Sequence, residues 1–355
     1  MSAARPAPLT GPPVRRTRLV DVADATGLDV STVSRVLNSD PRQTVRAETR
    51  ARVLATAARL GYRPNALARA LKQSRSNALA LVVPMVRNPI WSVVERGALD
   101  RAAERGCAVL VVSEPTDRPR PPAAYQAMVL ESRVDGLVLA TTLRPRGGAG
   151  GDLPVPHVYL NRRGPRPGHD VVMDEEGAVG LWVQEMGRQG RRDLVLLDGP
   201  QDVDTVHRRA RAAGFAGDRA TGTQVRVVHA PATEHGGWTA AVRLFSDPRP
   251  PDGIGVGSLP QLTGLVAAIR SCGIAVPTAL GLVSFDEDAS LSYLGMPVTS
   301  VAMPLAELGA AGVDALLDQV DGRSPHDVLV AGPMRLVRHE PAPLPRRGAT
   351  RSAPP

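Results

Sequence analysis

LVDVADATGLDVSTVSRVL, residues 19–37, decides how the chain begins to fold. Apolar residues fall at Leu19, Val22 and Ala23, then again at Val30, Val33, Val36 and Leu37. That spacing is helical on both sides of an interruption at Thr26-Gly27-Leu28-Asp29. Gly27 can take a positive φ and stop the first helix, and Asp29 can accept main-chain N–H bonds and cap the second. Two short helices joined by a tight glycine turn make a helix-turn-helix. The second helix carries Ser31, Thr32, Ser34 and Arg35 on its outer side, with Asn38 at its end. Hydroxyls, an amide and a guanidinium are the groups that bond phosphates and base edges. The same pattern also fits an ordinary helical hairpin with a solvated face.

Charge separates these readings. Residues 1–77 hold 14 Lys+Arg against 5 Asp+Glu, a net of +9. The other residues hold 43 − 14 = 29 basic and 35 − 5 = 30 acidic side chains, a net of −1. A basic end on a neutral body is an electrostatic footprint for a polyanion. Residues 1–17, rich in Pro, Ala and Arg, read as a disordered basic arm, and PAPLPRRGATRSAPP from Pro341 reads as a disordered tail.

The rest of the N-terminal segment completes a small helical module. A third helix is expected from about Ala47 to Arg59, with Val53, Leu54, Ala57 and Leu60 as its apolar stripe, ending at Gly61. Asn65 can cap a fourth short helix, Ala66 to Lys72, whose Leu67, Ala68 and Leu71 have no evident local partner.

VADATGLDVSTVSRVLN, together with TRARVLATAARLGYRPNALARAL, resembles the N-terminal headpiece of the LacI/GalR family of transcriptional regulators. A looser similarity runs to about His339. The resemblance implies a dimeric, sequence-specific DNA-binding regulator, a repressor of a palindromic operator on double-stranded DNA. Val30 and Ser31 match positions that select the operator, and Arg35 one that contacts guanine. Thr32, Ser34 and Asn38 would bond phosphates. Ala66–Lys72 matches the hinge helix: Leu71 would wedge into the minor groove, Ala68 would face its dimer mate, and Arg69 and Lys72 would lie near phosphates.

From Ala78 short apolar runs alternate with helical segments, at 78–83, 108–112, 136–140, 155–160, 193–199, 225–230, 253–257 and 280–285. Continuous apolar strands between helices mean parallel sheets covered on both faces. The two series suggest two similar α/β lobes in residues 78–340. They split near residues 161–175, with the Arg162–Gly168 stretch marking the joint, and a helix at 305–321 returns to the first lobe. The family resemblance implies the same architecture, a periplasmic-binding-protein-like clamp with a small-molecule effector in the cleft.

Ligands of such sheets bind beyond the carboxyl ends of the strands. Asn88, Ile90 and Trp91 follow the first strand and match pocket positions of the family. Arg211, in RAAGF, matches an arginine that grips the effector, and Asp286, in SFDED, an acidic hydroxyl-binding position. Asn161 stands where the family has Asp before two arginines, and Ser258-Leu259 where it has Asn-Asp. Losing these groups puts a simple sugar in doubt and leaves a less polar effector, or none. Trp91 could stack on a sugar or base ring, or be a buried first-turn residue.

Nothing suggests an enzyme: there is no phosphate loop, HExxH or Gly-x-Ser-x-Gly, and no cofactor or metal is expected. Cys107 and Cys272 imply no disulfide framework, which fits a reducing cytoplasm. No apolar run reaches 18 residues, so no membrane span is expected. The acids at Asp21, Asp24 and Asp29 argue against reading Arg15-Arg16 as an export signal. A solute-binding transport protein would share the clamp but need a signal peptide and no headpiece. A regulator with a decayed, effector-independent cleft stays open, as does a tetramer in place of a homodimer.

Overall fold

The computed structural model describes residues 17–37, 45–62, 75–84, 88–115, 122–140, 153–165, 167–201, 203–219 and 222–343. The chain divides into two compact units, Met1–Ser76 and Asn77–Pro355.

The first unit holds α1 (Leu19–Thr26), α2 (Val30–Leu37) and α3 (Ala47–Arg59). Gly27 sits at φ 64° and ends α1. The Asp29 carboxylate accepts the Ser31 N–H at 2.7 Å, while its carbonyl accepts Thr32 and Val33. The bond with Ser31 holds the Asp29 carboxyl below its ordinary pKa. Val22, Ala23, Val33, Val36, Val53 and Ala57 form one buried core. Full burial of a Val-sized side chain contributes roughly 1.5–3 kcal/mol, so a three-helix module of this size depends on all six. Leu54, expected in the apolar stripe of α3, is 47% exposed. It follows Val53 by one residue, a rotation of about 100° that carries it off the core face. The proposed hinge helix, the basic arm up to Arg16 and the tail from Leu344 lie outside the described residues.

The second unit contains two lobes built on six-stranded sheets. The first lobe takes β1 (Ala78–Pro84), α4 (Ile90–Glu104), β2 (Ala108–Glu114), α5 (Pro122–Leu130), β3 (Gly136–Leu139), β4 (His157–Leu160) and β5 (Asp170–Met173). The second takes α6 (Glu175–Arg188), β6 (Asp193–Asp198), α7 (Asp204–Arg219), β7 (Gln224–His229), α8 (Glu234–Phe245), β8 (Gly253–Val256), α9 (Leu259–Ser271), β9 (Gly281–Ser284) and β10 (Val298–Ala302). The chain then returns: α10 (Leu305–Val320) and β11 (Val328–Val330) join the first lobe, and β12 (Arg335–His339) joins the second. Strand order is β11-β5-β4-β3-β1-β2 in one sheet and β12-β10-β9-β8-β6-β7 in the other. Pairing is parallel except between β10 and β12.

Two expectations need correction. The crossing comes after Met173, inside the expected span 161–175 but not at Arg162–Gly168, a loop that connects β4 to β5 within the first sheet. β5, β10, β11 and β12 were not anticipated. Polar residues at Asp170, Thr299, Ser300, Arg335 and Arg338 interrupt β5, β10 and β12, and β11 spans only three residues, so no continuous apolar run marks them. The expected return of helix 305–321 is realised by α10, whose Leu305, Leu308, Val313 and Leu316 enter the first-lobe core. Its contact with α4 is close. A Cβ at Gly97 would lie 2.0 Å from the Ala306 carbonyl oxygen, so only glycine fits there.

Candidate DNA-reading surface and interlobe cleft

On α2, Val33 and Val36 are buried and the opposite side is open. Val30 is 41% exposed, Ser31 and Arg35 are exposed, and Thr32 and Ser34 are half-buried. The helix presents a guanidinium and hydroxyls outward because its apolar residues follow the three-four repeat that the core requires. Asn38, Ala68, Arg69, Leu71 and Lys72 lie outside the described residues.

In the second unit, the carboxyl ends of the strands bring polar groups of both lobes together. Asn88 donates from Nδ2 to Asp286 Oδ2 at 2.8 Å, a bond from the first lobe to the second. The Leu259 N–H donates to the same oxygen at 3.0 Å. Asp286 is 3% exposed. Burial pushes its carboxyl up to about 6, although Arg209 and the bonds from Asn88 and Leu259 pull the other way.

The first turns of α7 are bonded across the cleft. The Asp204 carboxylate accepts the Arg163 N–H at 3.0 Å and Arg208 Nε at 3.1 Å. Thr205 donates to the Asn161 carbonyl at 2.7 Å, and Arg208 Nη1 to the Met173 carbonyl at 3.1 Å. Asn161, Arg163 and Met173 belong to the first lobe, so α7 is tied to it at three points.

Below this junction lies a buried ionic cluster. Arg209 donates from Nε to Glu175 Oε2 at 2.6 Å, and from Nη1 to the Gly257 carbonyl at 3.0 Å and Asp198 Oδ2 at 3.4 Å. Its guanidinium lies 5.1 Å from the Phe285 ring centroid. Burial opposes the Arg209 charge, but Glu175 and Asp198 outweigh it and hold the guanidinium charged. Burial also raises the Asp198 carboxyl.

The expected cleft residues divide. Trp91 and Asn161 line a narrow cavity between the lobes with Ala140, Leu160, Arg162, Val203, Asp204 and Thr205. Asn88 and Asp286 pair with each other, and Ile90 is half-buried against the first-lobe core. Ser258 turns its hydroxyl to Gln261 Oε1 at 3.0 Å, and Gln261 in turn bonds the Asp198 and Ala230 carbonyls. Its side chain therefore serves the start of α9. Arg211 is exposed. It sits two residues past Arg209, about 200° around the helix, so the buried arginines of α7 are Arg208 and Arg209. Sequence reasoning passed over Glu175, Asp198, Asp204, Thr205, Arg208 and Arg209. Asp198 closing the apolar run LVLLD and the doubled Arg208-Arg209 were the available signals. Among the described residues no group of three His, Cys, Asp or Glu side chains is arranged to hold a metal, and no helix is long and apolar enough to cross a membrane.

The Asp286 carboxyl makes stability depend on pH with a definite sign. Its folded pKa of about 6 exceeds the unfolded 3.8. The folded chain therefore binds the proton more tightly, and stability falls as pH rises through the window 3.8 to 6. The loss reaches about 3 kcal/mol, at 1.36 kcal/mol per pH unit. Urea unfolding at pH 4 and pH 7 should show a smaller fall in Asp286→Asn, and equal falls in both proteins would place the effect elsewhere.

Residues 18–65 match the bacterial regulatory proteins of the lacI family, and residues 183–340 match a periplasmic binding protein-like domain. Residues 18–65 thus carry the DNA-binding domain of the lacI family, and the chain is a DNA-binding transcriptional regulator. It is 26% identical over 308 residues to the ribose operon repressor of Escherichia coli K12, covering 84% of this chain and 92% of the relative. It is 29% identical over 316 residues to the transcriptional regulator PtxS of Pseudomonas plecoglossicida, covering 86% and 90%. Among solved structures, the Lac repressor dimer bound to operator and the anti-inducer ONPF superposes with a TM-score of 0.76. That match has 23% identity and covers 91% of this chain and 98% of the other. A LacI-family regulator from Mycobacterium smegmatis gives 0.64 at 25% identity, covering 75% and 99%.

Proposed function

We propose that this regulator is a cytoplasmic repressor that binds a palindromic operator as a homodimer and is modulated by a small molecule held between its lobes. The observation that carries the reading is the two-sided character of α2, with Val33 and Val36 in the core and Ser31 and Arg35 outward. Val30 and Ser31 select the operator, Arg35 contacts guanine, and Thr32, Ser34 and Asn38 bond phosphates. Leu71, with Ala68 against its dimer mate and Arg69 and Lys72 near phosphates, opens the minor groove at the dyad. Leu99, Leu110 and Val111 on the first lobe, and Trp238, Val242 and Tyr293 on the second, are exposed and apolar. They supply the surface that a second copy would cover. Asn88, Asn161 and Asp286, on the two sides of the cleft, are the groups through which a ligand would change lobe closure and hence operator affinity.

Arg35→Ala tests the role of α2. Specific binding should weaken by about 1–3 kcal/mol, with a far smaller loss on random duplex, since a bidentate arginine–guanine contact carries sequence information. Equal losses on both duplexes in a fluorescence anisotropy titration would make Arg35 a phosphate contact instead.

A further inference from the structure

We infer that the two lobes latch to each other with no small molecule between them, through Asn88 on Asp286 and through Asn161 and Arg163 on α7, so that a ligand entering the cleft opens the clamp. The inference deepens the reading that an effector binds between the lobes, and it rests on that reading.

Hydrogen bonds run from the loops after β1 and β4 to the second lobe. Asn88 Nδ2 donates to Asp286 Oδ2 at 2.8 Å. The Arg163 N–H donates to Asp204 Oδ2 at 3.0 Å, and Thr205 Oγ1 to the Asn161 carbonyl at 2.7 Å. These contacts fall at two separate places. β3 lies between β1 and β4 in the sheet, so the two loops start about 10 Å apart at the ordinary strand spacing. The crossings between the lobes come after Met173, Ala302 and Val330, on the side of the sheets that holds β5, β11, β10 and β12. β1 is three strands in from β5. Asn88 therefore holds Asp286 away from the hinge, where a bond resists opening with more leverage than one at the crossings. The Asn88 amide is itself fixed, because its Oδ1 accepts the Ile90 N–H at 3.3 Å.

The latched lobes leave little space. The cavity lined by Trp91 and Asn161 measures about 20 Å³. A single water molecule needs roughly 10–15 Å³, so an organic molecule does not fit there. A ligand shifts a two-state equilibrium only by its difference in affinity for the two states. One that finds no room in the latched form draws its affinity from the open form, and its binding drives the lobes apart. A ligand that bridges two lobes closes a clamp whose loops make no bonds of their own; here Asn88, Asn161 and Arg163 already make the bridge.

Amide hydrogen exchange on the full chain, freed of small molecules by dialysis and read residue by residue, tests the latch. The Arg163 N–H is bonded across the cleft. The neighbouring Gly164 N–H donates to Asp170 Oδ1 within the first lobe at 2.8 Å and serves as the internal control. The expected result is a protected Arg163 N–H that exchanges about tenfold faster in Asn88→Ala and in Thr205→Val, the effect of losing one such bond, with Gly164 unchanged. Affinity for a duplex recovered by in vitro selection should change about fivefold or more in Asn88→Ala, the size of an ordinary coupling between sites. An unprotected Arg163 N–H in the parent chain, or protection unaltered in either variant, overturns the latch and leaves the effector reading standing. Faster exchange at Arg163 with unchanged DNA affinity separates lobe closure from operator binding; that result overturns the effector reading and the inference with it.

Discussion

Arg209→Ala is expected to destabilise the second unit by about 3–5 kcal/mol, the usual cost of removing one partner from a buried ion pair. The guanidinium lies between Glu175 and Asp198, with side-chain exposures of 7%, 0% and 3%. Without it, two carboxylates remain in a low-dielectric interior, and Glu175 already has one oxygen, Oε1, with no hydrogen-bond partner. The Gly257 carbonyl also loses its donor. A second signature separates this electrostatic mechanism from lost packing against Phe285. Burial already raises the Asp198 carboxyl and the Arg209 charge opposes it most strongly, so without Arg209 it protonates more readily and the deficit should shrink as pH falls from 7.5 toward 5. Chemical unfolding at the two pH values measures it. A deficit independent of pH would assign the role of Arg209 to packing alone.

The helix-turn-helix was legible because each of its signals is local. Gly27, Asp29 and the Val33–Val36 spacing act within one or two helical turns, and the structure realises all three. The continuously apolar β-strands and most of the helices were legible for a related reason. A strand buried on both faces must be apolar throughout, and ALALVV and DLVLL can be little else. β5, β10, β11 and β12 were not, because they lack such a run and owe their existence to neighbours already in the sheets.

The cleft was legible only in outline. Strand ends announced Asp286, and the loop after β1 announced Asn88, but their mutual bond joins residues 198 positions apart. Arg211 stood in the more recognisable setting, yet the helix turns it outward and brings Arg208 and Arg209 inward. That choice depends on where α7 docks, which involves Met173, Glu175 and Gly257 on three other elements. Ser258 fails for the same kind of reason: its hydroxyl is taken by Gln261, three residues along.

All DNA contact is expected from residues 1–77. That segment carries a net of +9, and the rest of the chain −1. Neutralising several phosphates releases counterions, so affinity should fall steeply with salt, by roughly 10³–10⁵ between 50 and 200 mM for 6–10 phosphate contacts. The direct measurement compares the full chain with residues 78–355 on a duplex recovered by in vitro selection, titrated across that salt range. The expected result is a symmetric selected site and a steep salt slope for the full chain, with no binding by residues 78–355. Retained binding by the shorter chain, or no selected sequence for the full one, would contradict it.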